Sequence, residues 1–382
     1  MIKESRIFPG RTNSSTGRGP AHSLGRAEGV ADRVSRYLGA SDLEPIFLHG
    51  DAKSILPLIP EASIDCVLTS PPYWGMRQYA ASGIGLEERW EEYVEGLLSV
   101  FAEVKRVLCR EGSLWINIGD AYRKKRLLGI PWRVALALTD DHGFILRNEI
   151  IWNKVKGGPD NSTDKLRNVH EHLFHFVKAP RYYYDADAIR TTPRRAKVRS
   201  GAVVSATGVS GVRYRRQIEL STSLRAGERR AAIAALGSML EEVRAGRLSD
   251  FRMIIRGQQR TTHSDAERVS GRAREIRDRG FYFLKYHPRG AKPSDVWDII
   301  PEDTQRRTHH FAPFPEDLCR IPILATSRKG GTVLDPFAGT GTTNAVARAL
   351  GRKSIGIDVS REYLELAEKR CAPAGIKRPP ST

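Results

Sequence analysis

A serine, two prolines and two aromatic residues form the segment of the chain that could bind and activate an amine. The segment reads TSPPYW and directly follows an apolar run, IDCVLT, so we expect it at the carboxyl end of a strand. Pro71 and Pro72 forbid a helix and fix a rigid, extended turn, but their carbonyls remain hydrogen-bond acceptors. Ser70 adds a hydroxyl acceptor, and Tyr73 and Trp74 offer faces for stacking. These types suit the exocyclic amine of a nucleobase, although a structural Pro-Pro turn would give the same pattern.

The expected chemistry follows from the weakness of such an amine as a nucleophile. The lone pair of the cytosine or adenine amine is delocalised into the ring. Hydrogen bonds from its two N–H groups to Ser70 Oγ and the Pro71 carbonyl would hold the nitrogen and favour a pyramidal geometry. The electron pair could then point at a methyl donor in line, and proximity and fixed dipoles would supply most of the rate.

A second candidate site lies near the carboxyl end of the chain, where TVLDPFAGTGTT runs from a strand into a glycine turn. It lacks the G-x-G-x-x-G pattern and the lysine of the common phosphate loops. Instead Asp335 ends the strand, where an acid attracts an ammonium group. Asp358 follows 23 residues later in GID and can take two ribose hydroxyls. An acid for an amine, a glycine turn and an acid for a ribose describe a site for S-adenosylmethionine, whereas GTG alone would more often be an ordinary tight turn.

The elements that must position these residues can be predicted from hydrophobic periodicity. Short apolar runs predict strands over 45–49, 64–69, 113–118, 144–152, 172–177, 332–334 and 353–357. Helical spacing predicts helices over 88–108, 130–138, 315–327, 342–350 and 361–371. Strands that alternate with helices predict a parallel α/β sheet. Residues 190–290 break the pattern and predict an inserted domain with an Arg-rich helix over 228–243, while residues 1–42 predict a mobile tail with a short helix near 26–38.

Composition bounds the class of protein. The chain has 382 residues, enough for two or three domains, and 40% hydrophobic residues, enough for a sizeable core. No apolar run approaches the ~20 residues of a membrane helix, and we see no secretory signal at the start. Four cysteines without a C-x-x-C pair suit a reducing cytosol. We therefore expect a cytoplasmic protein that does not associate with membranes.

The basic charge is concentrated in the predicted insertion. The net charge is +18, and residues 190–290 hold 23 Lys and Arg against 9 Asp and Glu. Such a concentration favours a polyanion partner, and nucleic acid is the default. A solvated basic linker is the alternative.

In order, the motifs resemble those of the β-class DNA amino-methyltransferases, which methylate exocyclic amines of DNA bases with S-adenosylmethionine. The motifs are TSPPYW with GMRQY, SLWINIGDAY, GIPWRVA, IIWNK, HEHLFHF, YYYD, HFAPFP, and DPFAGTGTT with GID. The resemblance implies a Rossmann-like α/β sheet that is circularly permuted, because the catalytic motif precedes the cofactor motif. It divides the chain into a flexible basic tail, a catalytic half, an inserted target-recognition domain and a cofactor-binding half, at 1–42, 43–190, 191–290 and 291–375.

The resemblance also implies a role for each matching residue. In the catalytic tetrad Ser70-Pro71-Pro72-Tyr73, the serine accepts from the target amine and the tyrosine stacks on the flipped base. The implied cofactor residues are Asp335, Phe337, Gly339, Gly341, Asp358 and Asp51. Asp51 would meet the adenine amine of the cofactor, or else simply cap a helix. The wall of the base pocket would include Trp74, Trp152 and Lys154, although the following VKGGPD departs from the Pro-Asn-x-x-Pro that is common in the family.

Several products and classes are compatible with parts of this pattern. Serine before Pro-Pro-Tyr resembles the cytosine-N4 group, whereas adenine-N6 members usually carry aspartate there and are the main alternative. A 5-methylcytosine enzyme needs a cysteine nucleophile, usually after a proline, and no cysteine here follows a proline. An RNA or protein methyltransferase would usually lack the permuted order and the basic insertion. The last alternative is a non-catalytic DNA-binding protein with a relict fold.

The expected partner is double-stranded DNA, and no metal site is expected. The enzyme would act in restriction-modification beside a separate cognate endonuclease, or as a solitary modification enzyme. A bacterial, archaeal or phage-encoded protein associated with the nucleoid fits this role.

Overall fold

The computed structural model describes residues 29–75, 84–156, 161–199, 202–257, 271–301 and 315–372. The strands in these ranges are β1 Ile46–His49, β2 Ile64–Thr69, β3 Leu108–Ile118, β4 Tyr122–Arg123, β5 Arg126–Leu127, β6 Ile145–Asn153, β7 His170–Val177, β8 Lys197–Arg199, β9 Ala202–Val204, β10 Asp250–Ile255, β11 Phe281–Tyr286, β12 Val296–Asp298, β13 Thr332–Asp335 and β14 Lys353–Asp358. The helices are α1 Val30–Gly39, α2 Ala52–Ile55, α3 Trp90–Val107, α4 Ile130–Asp140, α5 Gly211–Glu219, α6 Ala226–Arg244, α7 Gly271–Arg279, α8 Glu316–Thr326, α9 Thr342–Ala349 and α10 Arg361–Cys371. No helix within these ranges is both long and apolar enough to cross a lipid bilayer.

A single large sheet joins strands from both ends of the chain. Its order is β1-β14-β13-β2-β3-β7-β6-β12. The N-terminal β1 pairs with β14, and the C-terminal β13 pairs with β2. This is the connectivity that a circular permutation predicts. From β13 the chain continues to β14 on one side, and from β2 it continues to β3 on the other. The carboxyl ends of β13 and β2 therefore flank a topological switch point, where open α/β sheets place their ligands.

The prediction of a parallel sheet is wrong for one strand. β7 runs antiparallel to both of its neighbours, β3 and β6. A parallel connection needs a crossover of a dozen or more residues, usually a helix. The described residues between β6 and β7 contain no helix, so the two strands form a long-looped hairpin. The other pairings in the sheet are parallel.

Helices cover both faces of the sheet, so the central strand β13 is buried along its whole length, whereas β6 near the edge exposes Arg147 and Asn148. On β3, Leu114 and Ile116 face the cluster that includes α3 and α4, whereas Trp115 between them faces the cluster that includes α8. This alternation is the period of two of a strand. The sheet is thereby fixed as a rigid middle layer, and its carboxyl edge carries the candidate site.

The N-terminal helix α1 coincides with the short helix predicted near residues 26–38, but it packs on the folded body, whereas the sequence placed it in a mobile tail. Val34 and Tyr37 are 0% and 7% exposed. The Tyr37 hydroxyl accepts from the backbone N–H of Ser354 over 2.9 Å. The ammonium group of Lys353 donates to the Leu38 carbonyl over 2.8 Å, close to the carboxyl end of α1. Residues 1–28 of the predicted tail lie outside the described residues.

The inserted segment has an apolar core of its own. It contains the β8–β9 hairpin, α5, α6, the antiparallel β10–β11 pair and α7. Its buried residues include Val203, Ile218, Leu236, Phe251 and Phe281. The two chain segments that lead into and out of it are joined where Thr191 N donates to the Ala291 carbonyl over 2.8 Å. An insertion attached at adjacent points leaves the large sheet undisturbed.

Candidate active site

The segment Ser70–Tyr73 leaves β2 beside the point where Asp335 ends β13. β2 and β13 are parallel neighbours, so both segments start from the carboxyl edge of the sheet. Thr69 Oγ1 donates to Asp335 Oδ1 over 2.6 Å in the protein interior. The fold thus joins the two motifs, although Thr69 and Asp335 are 266 residues apart in the chain.

Tyr73 is held by a polar network beneath the site. Its hydroxyl donates to Glu171 Oε2 over 2.5 Å. Asn117 Nδ2 donates to the Tyr73 hydroxyl oxygen over 2.9 Å and to Glu171 Oε2 over 2.7 Å. Lys154 pairs with the other carboxylate oxygen of Glu171. The ring of Tyr73 lies on the backbone of Gly119, where an added Cβ would approach it to 2.9 Å. These contacts fix both the direction of the hydroxyl and the plane of the ring.

The electrostatics of this network keep the tyrosine a hydrogen-bond donor. Burial, and then the Glu171 carboxylate, raise the pKa of Tyr73 well above its usual value. Glu171 is 8% exposed, and Lys154 compensates its charge. Asn117 and Glu171 were not predicted as site residues. Asn117 interrupts the apolar run LWINI, which was the available signal, whereas Glu171 lies among three histidines in HEHLFHF and does not stand out.

Ser70 and Pro71 present acceptors with few competing partners. Ser70 Oγ lies 3.4 Å from the Tyr73 hydroxyl and 3.4 Å from Asn117 Nδ2, which are long distances for hydrogen bonds. No donor among the described residues binds the Pro71 carbonyl. The Pro72 carbonyl, in contrast, accepts from a tyrosine hydroxyl over 2.8 Å. A ligand with two N–H groups could therefore donate to Ser70 Oγ and the Pro71 carbonyl. At the Pro72 carbonyl it would have to compete with the tyrosine hydroxyl.

Asp335 is a buried carboxylate with one free oxygen. The residue is 0% exposed, and its Oδ1 accepts from Thr69 and, over 3.1 Å, from the backbone N–H of Phe337. Its Oδ2 is buried without a hydrogen-bond partner in the described part of the chain. Burial raises the pKa of Asp335 to about 6, against the lowering effects of the Thr69 and Thr343 hydroxyls and of the Phe337 N–H. A buried carboxylate oxygen without a hydrogen-bond partner is suited to accept a hydrogen bond from a ligand.

The glycine turn after β13 and the acid after β14 are bound to each other. Gly339 N donates to Asp358 Oδ2 over 2.8 Å, and Ser360 N donates to Asp358 Oδ1 over 2.8 Å. Burial raises the pKa of Asp358, and these backbone donors oppose that shift. Gly341 has a left-handed φ of 73°, and a Cβ there would approach the Cβ of Ala367 to 2.8 Å. Each Asp358 oxygen retains a lone pair for a ligand hydroxyl. Phe337, in the same turn, packs partly buried against the core.

Asp51 is the N-cap of α2, as the alternative interpretation predicted. Its Oδ1 accepts from Lys53 N over 3.0 Å. It also lies near Asp358, because Gly50 N donates to the Asp358 carbonyl over 3.0 Å. The capping role leaves its second carboxylate oxygen available at the same edge of the sheet.

The three residues predicted for the base pocket lie in different surroundings. The indole N–H of Trp74 donates to a backbone carbonyl over 2.9 Å, and the guanidinium of Arg123 lies 5.6 Å from its ring centroid. Trp152 is only 3% exposed and packs in the core rather than on an open surface. The Lys154 ammonium lies 5.2 Å from the ring centroid of Trp152 and reaches Glu171. Lys154 is thus the member of the three that joins the network around Tyr73.

At the carboxyl edge of the sheet, the acceptors that follow β2 can hold an amine. The acids at the ends of β13 and β14 can hold a second ligand that carries an ammonium group and a diol. Asp335, with its unpartnered buried oxygen, fits the ammonium, and Asp358 fits the diol, so the residues present fit S-adenosylmethionine. Within the described ranges, no group of three His, Cys, Asp or Glu side chains is arranged to hold a metal ion.

Comparison with known proteins assigns the family. A family model for N6 and N4 enzymes, described as DNA methylase, matches residues 64–369. The type II methyltransferase M.SfiI of Streptomyces fimbriatus is 31% identical over 376 residues, which cover 82% of this chain and 88% of that protein. The DNA adenine methyltransferase YhdJ of Escherichia coli (strain K12) is 26% identical and covers 85% of this chain and 81% of its own length. The chain therefore belongs to the N6/N4 DNA methylase family.

A solved structure supports the fold. The PvuII DNA methyltransferase, described as cytosine-N4-specific, matches with a TM-score of 0.52 and 18% identity over 87% of this chain and 88% of its own. At this identity the likeness concerns the fold alone. The predicted permuted α/β methyltransferase fold with an insertion is confirmed, and the predicted family is confirmed at the level that includes both N4 and N6 enzymes.

Proposed function

We propose that this protein transfers a methyl group from S-adenosylmethionine to the exocyclic N4 amine of cytosine in double-stranded DNA. The observation that carries the proposal is the position of two weakly engaged acceptors, Ser70 Oγ and the Pro71 carbonyl, beside the buried Asp335 at the switch point of the sheet. An amine held by the first pair and a methyl donor held at Asp335 would be neighbours, which is the main requirement for an in-line transfer.

The cofactor would be held by the residues at the ends of β13, β14 and β1. Asp335 Oδ2 would accept from the ammonium group, and Asp358 would accept from the ribose hydroxyls. Phe337, the turn at Gly339 and Gly341, and Asp51 would surround the remainder. When bound, S-adenosylmethionine supplies an electrophilic methyl group.

The chain's own part in the reaction is to bind and aim the amine. Ser70 Oγ and the Pro71 carbonyl would each accept one N–H of the flipped base, and the ring of Tyr73 would stack on it. Both acceptors are neutral, so the amine need not lose a proton early. The methyl group would pass from the sulfonium sulfur to the nitrogen, which would take up the positive charge and leave the cofactor as a neutral thioether. The proton could leave the nitrogen to solvent afterwards.

No covalent adduct between enzyme and base is needed. Burial raises the pKa of all four cysteine thiols: to about 12 for Cys66, to about 11 for Cys371, well above the usual value for Cys319, and above it for the half-buried Cys109. Buried thiols of this kind are poor nucleophiles. This supports methylation of an amine rather than of a ring carbon.

Serine at position 70 supports cytosine as the target base, because it resembles the N4 members of the family. Adenine N6 is the second candidate, and one observation favours it: a relative named as a DNA adenine methyltransferase matches 85% of this chain. Both products would arise by the same chemistry at Ser70 and Pro71. The intact acids and tetrad argue against a relict, non-catalytic protein.

The division of the chain follows from this function. We assign residues 43–190 to catalysis, 291–375 to the cofactor and 191–290 to target recognition, because the last range carries most of the basic excess. The type II name of M.SfiI supports a role in restriction-modification, with a separate endonuclease as a partner in the same pathway. Such an enzyme would act in the cytoplasm, at the nucleoid.

Methylome sequencing of a host that expresses the gene tests this function and reports the recognition sequence. We expect N4-methylcytosine at one short sequence motif, and none in a host that expresses Ser70→Ala. Methylation of adenine at one motif would replace the target base but keep the cofactor and the mechanism. An unmodified genome, despite a soluble and folded protein, would contradict the proposal.

A further inference from the structure

A short hairpin outside the inserted domain carries an unusual run of basic residues. β4 and β5 pair antiparallel and leave Lys124 and Lys125 as a two-residue turn. All residues from 122 to 127 are exposed, and four in succession are basic, namely Arg123, Lys124, Lys125 and Arg126. The hairpin follows β3, whose carboxyl end lies at the candidate active site.

Its position beside the base pocket is fixed by contacts at its base. The guanidinium of Arg123 lies 5.6 Å from the ring centroid of Trp74, the residue after Tyr73. Gly119, which supports the ring of Tyr73, leads into the hairpin. The carboxylate of Asp120 accepts from the backbone N–H groups of two residues at the start of α4, over 2.9 and 3.1 Å. The basic tip, Lys124 and Lys125, therefore begins one residue after Arg123, which contacts Trp74 in the TSPPYW segment.

The two lysines occupy this turn against the local preference of the backbone. Lys124 and Lys125 have left-handed φ values of 49° and 64°. A two-residue turn with both φ values positive favours Asn-Gly, because other residues are strained there. In the described part of the chain Lys124 has no hydrogen bond or ion pair, and Lys125 pairs with Asp164 across 2.7 Å between exposed side chains. Such surface pairs contribute little, so the fold gives no reason for lysine here.

We propose that this hairpin binds the DNA backbone on the catalytic side of the flipped base, with Lys124 and Lys125 each neutralising a phosphate. The inference rests on the proposed function, because it takes duplex DNA as the substrate. Lys165, in the described part of the loop between β6 and β7, extends the same basic surface, since its ammonium lies 4.9 Å from the ring centroid of Tyr122. Contacts from this surface and from the insertion would hold the duplex on two sides while one nucleotide leaves the stack.

The test compares two double variants that remove equal charge. Lys124→Gln with Lys125→Gln removes the proposed contacts. Arg110→Gln with Lys329→Gln is the control, because both residues are exposed and lie near the amino ends of β3 and β13, at the opposite edge of the sheet. Initial rates of methyl incorporation into unmethylated genomic DNA are measured across a salt series. Removal of two phosphate contacts should raise KM for DNA by roughly 30-fold at 0.15 M salt and lower the log–log salt slope by about 1.8. The control should match the wild type.

A second variant separates binding from structure. Lys124→Asn with Lys125→Gly supplies the residues that the turn prefers, so its melting temperature should equal or exceed that of the wild type. Its KM for DNA should nevertheless rise as it does in the glutamine variant. The inference would be overturned if either lysine variant had the same KM for DNA as the control. It would also be overturned if Lys124→Asn with Lys125→Gly melted at a lower temperature than the wild type. A wild-type protein that methylates no DNA would instead refute the proposed function.

Discussion

Asp335 shows how a single residue can prepare a site for a charged ligand. Its carboxyl group is fully buried, one oxygen has no partner in the described part of the chain, and burial raises its pKa from 3.8 to about 6. Because the folded pKa exceeds the unfolded one, the ionised group lowers the stability of the protein as pH rises through this interval. A bound ammonium group would reverse that effect, since it favours the carboxylate.

Cofactor affinity should therefore depend on pH through Asp335. We expect affinity for S-adenosylmethionine to rise by up to about tenfold per pH unit below about pH 6 and to level off above it. Asp335→Asn should bind weakly and lose most of this dependence, although the raised pKa of Asp358 contributes in the same direction. Calorimetric titrations between pH 5 and 7 measure both proteins. A wild-type affinity that is constant over this range would contradict the assignment of Asp335.

The ring and the hydroxyl of Tyr73 have separable roles. Tyr73→Phe keeps the ring on Gly119 but removes the hydroxyl that binds Glu171 and Asn117. We expect Tyr73→Phe to retain most of kcat and to lose about 1–3 kcal/mol of unfolding free energy, because buried partners are left unsatisfied. Tyr73→Ala should lose activity. Steady-state rates and chemical denaturation measure the two effects, and a Phe variant as inactive as the Ala variant would show that the hydroxyl takes part in the chemistry.

Among the elements, α1 shows where hydrophobic periodicity falls short. The helix is short, and its sequence is rich in charge, so only Val34 and Tyr37 indicate burial. Its attachment depends on hydrogen bonds to Lys353 and Ser354, which are more than 300 residues away and cannot be inferred from local pattern. The antiparallel direction of β7 was missed for a related reason, since the direction depends on the connection rather than on the strand.

A conservative change tests whether α1 is part of the fold. Tyr37→Phe removes the hydroxyl that accepts from the buried N–H of Ser354. We expect a loss of about 1–3 kcal/mol in the free energy of unfolding. Tyr122→Phe is the control, because that residue is exposed, and it should stay within about 0.5 kcal/mol of the wild type. Equal stabilities for the two variants would show that α1 does not contribute through this contact.

The inserted segment can be removed as a unit, because it has its own core and is attached at adjacent points. We expect deletion of residues 195–285 to leave cofactor binding intact and to remove most of the salt-dependent affinity for DNA. The salt slope that remains should be about that of the basic hairpin, to which Lys124 and Lys125 contribute roughly 1.8. Anisotropy titrations of a labelled duplex across a salt series measure the slope. A deletion protein with wild-type affinity for DNA would show that the basic segment is a linker.

At the scale of the whole molecule, the permuted sheet explains how motifs from both ends of the chain form one site. The order of the motifs along the sequence predicted this arrangement, and apolar runs predicted seven of the eight strands of the sheet. β12, which is only three residues long, was not predicted, and β3 begins at Leu108 rather than at residue 113. The network of Asn117 and Glu171 beneath Tyr73 could not be predicted in the same way, because strand periodicity says which face a residue occupies but not which partner it meets. The residues that we propose touch the ligand can thus be predicted from motifs, whereas the residues that support them require the fold.

The measurement that tests the central claim most directly is nucleoside mass spectrometry of DNA treated with the purified enzyme and methyl-labelled S-adenosylmethionine. We expect label in N4-methylcytosine, with none when Ser70→Ala or Tyr73→Ala replaces the wild type. Label in N6-methyladenine would keep the site and its mechanism but overturn the choice of base. Label in 5-methylcytosine, or none in DNA, would contradict amine methylation at Ser70 and Pro71.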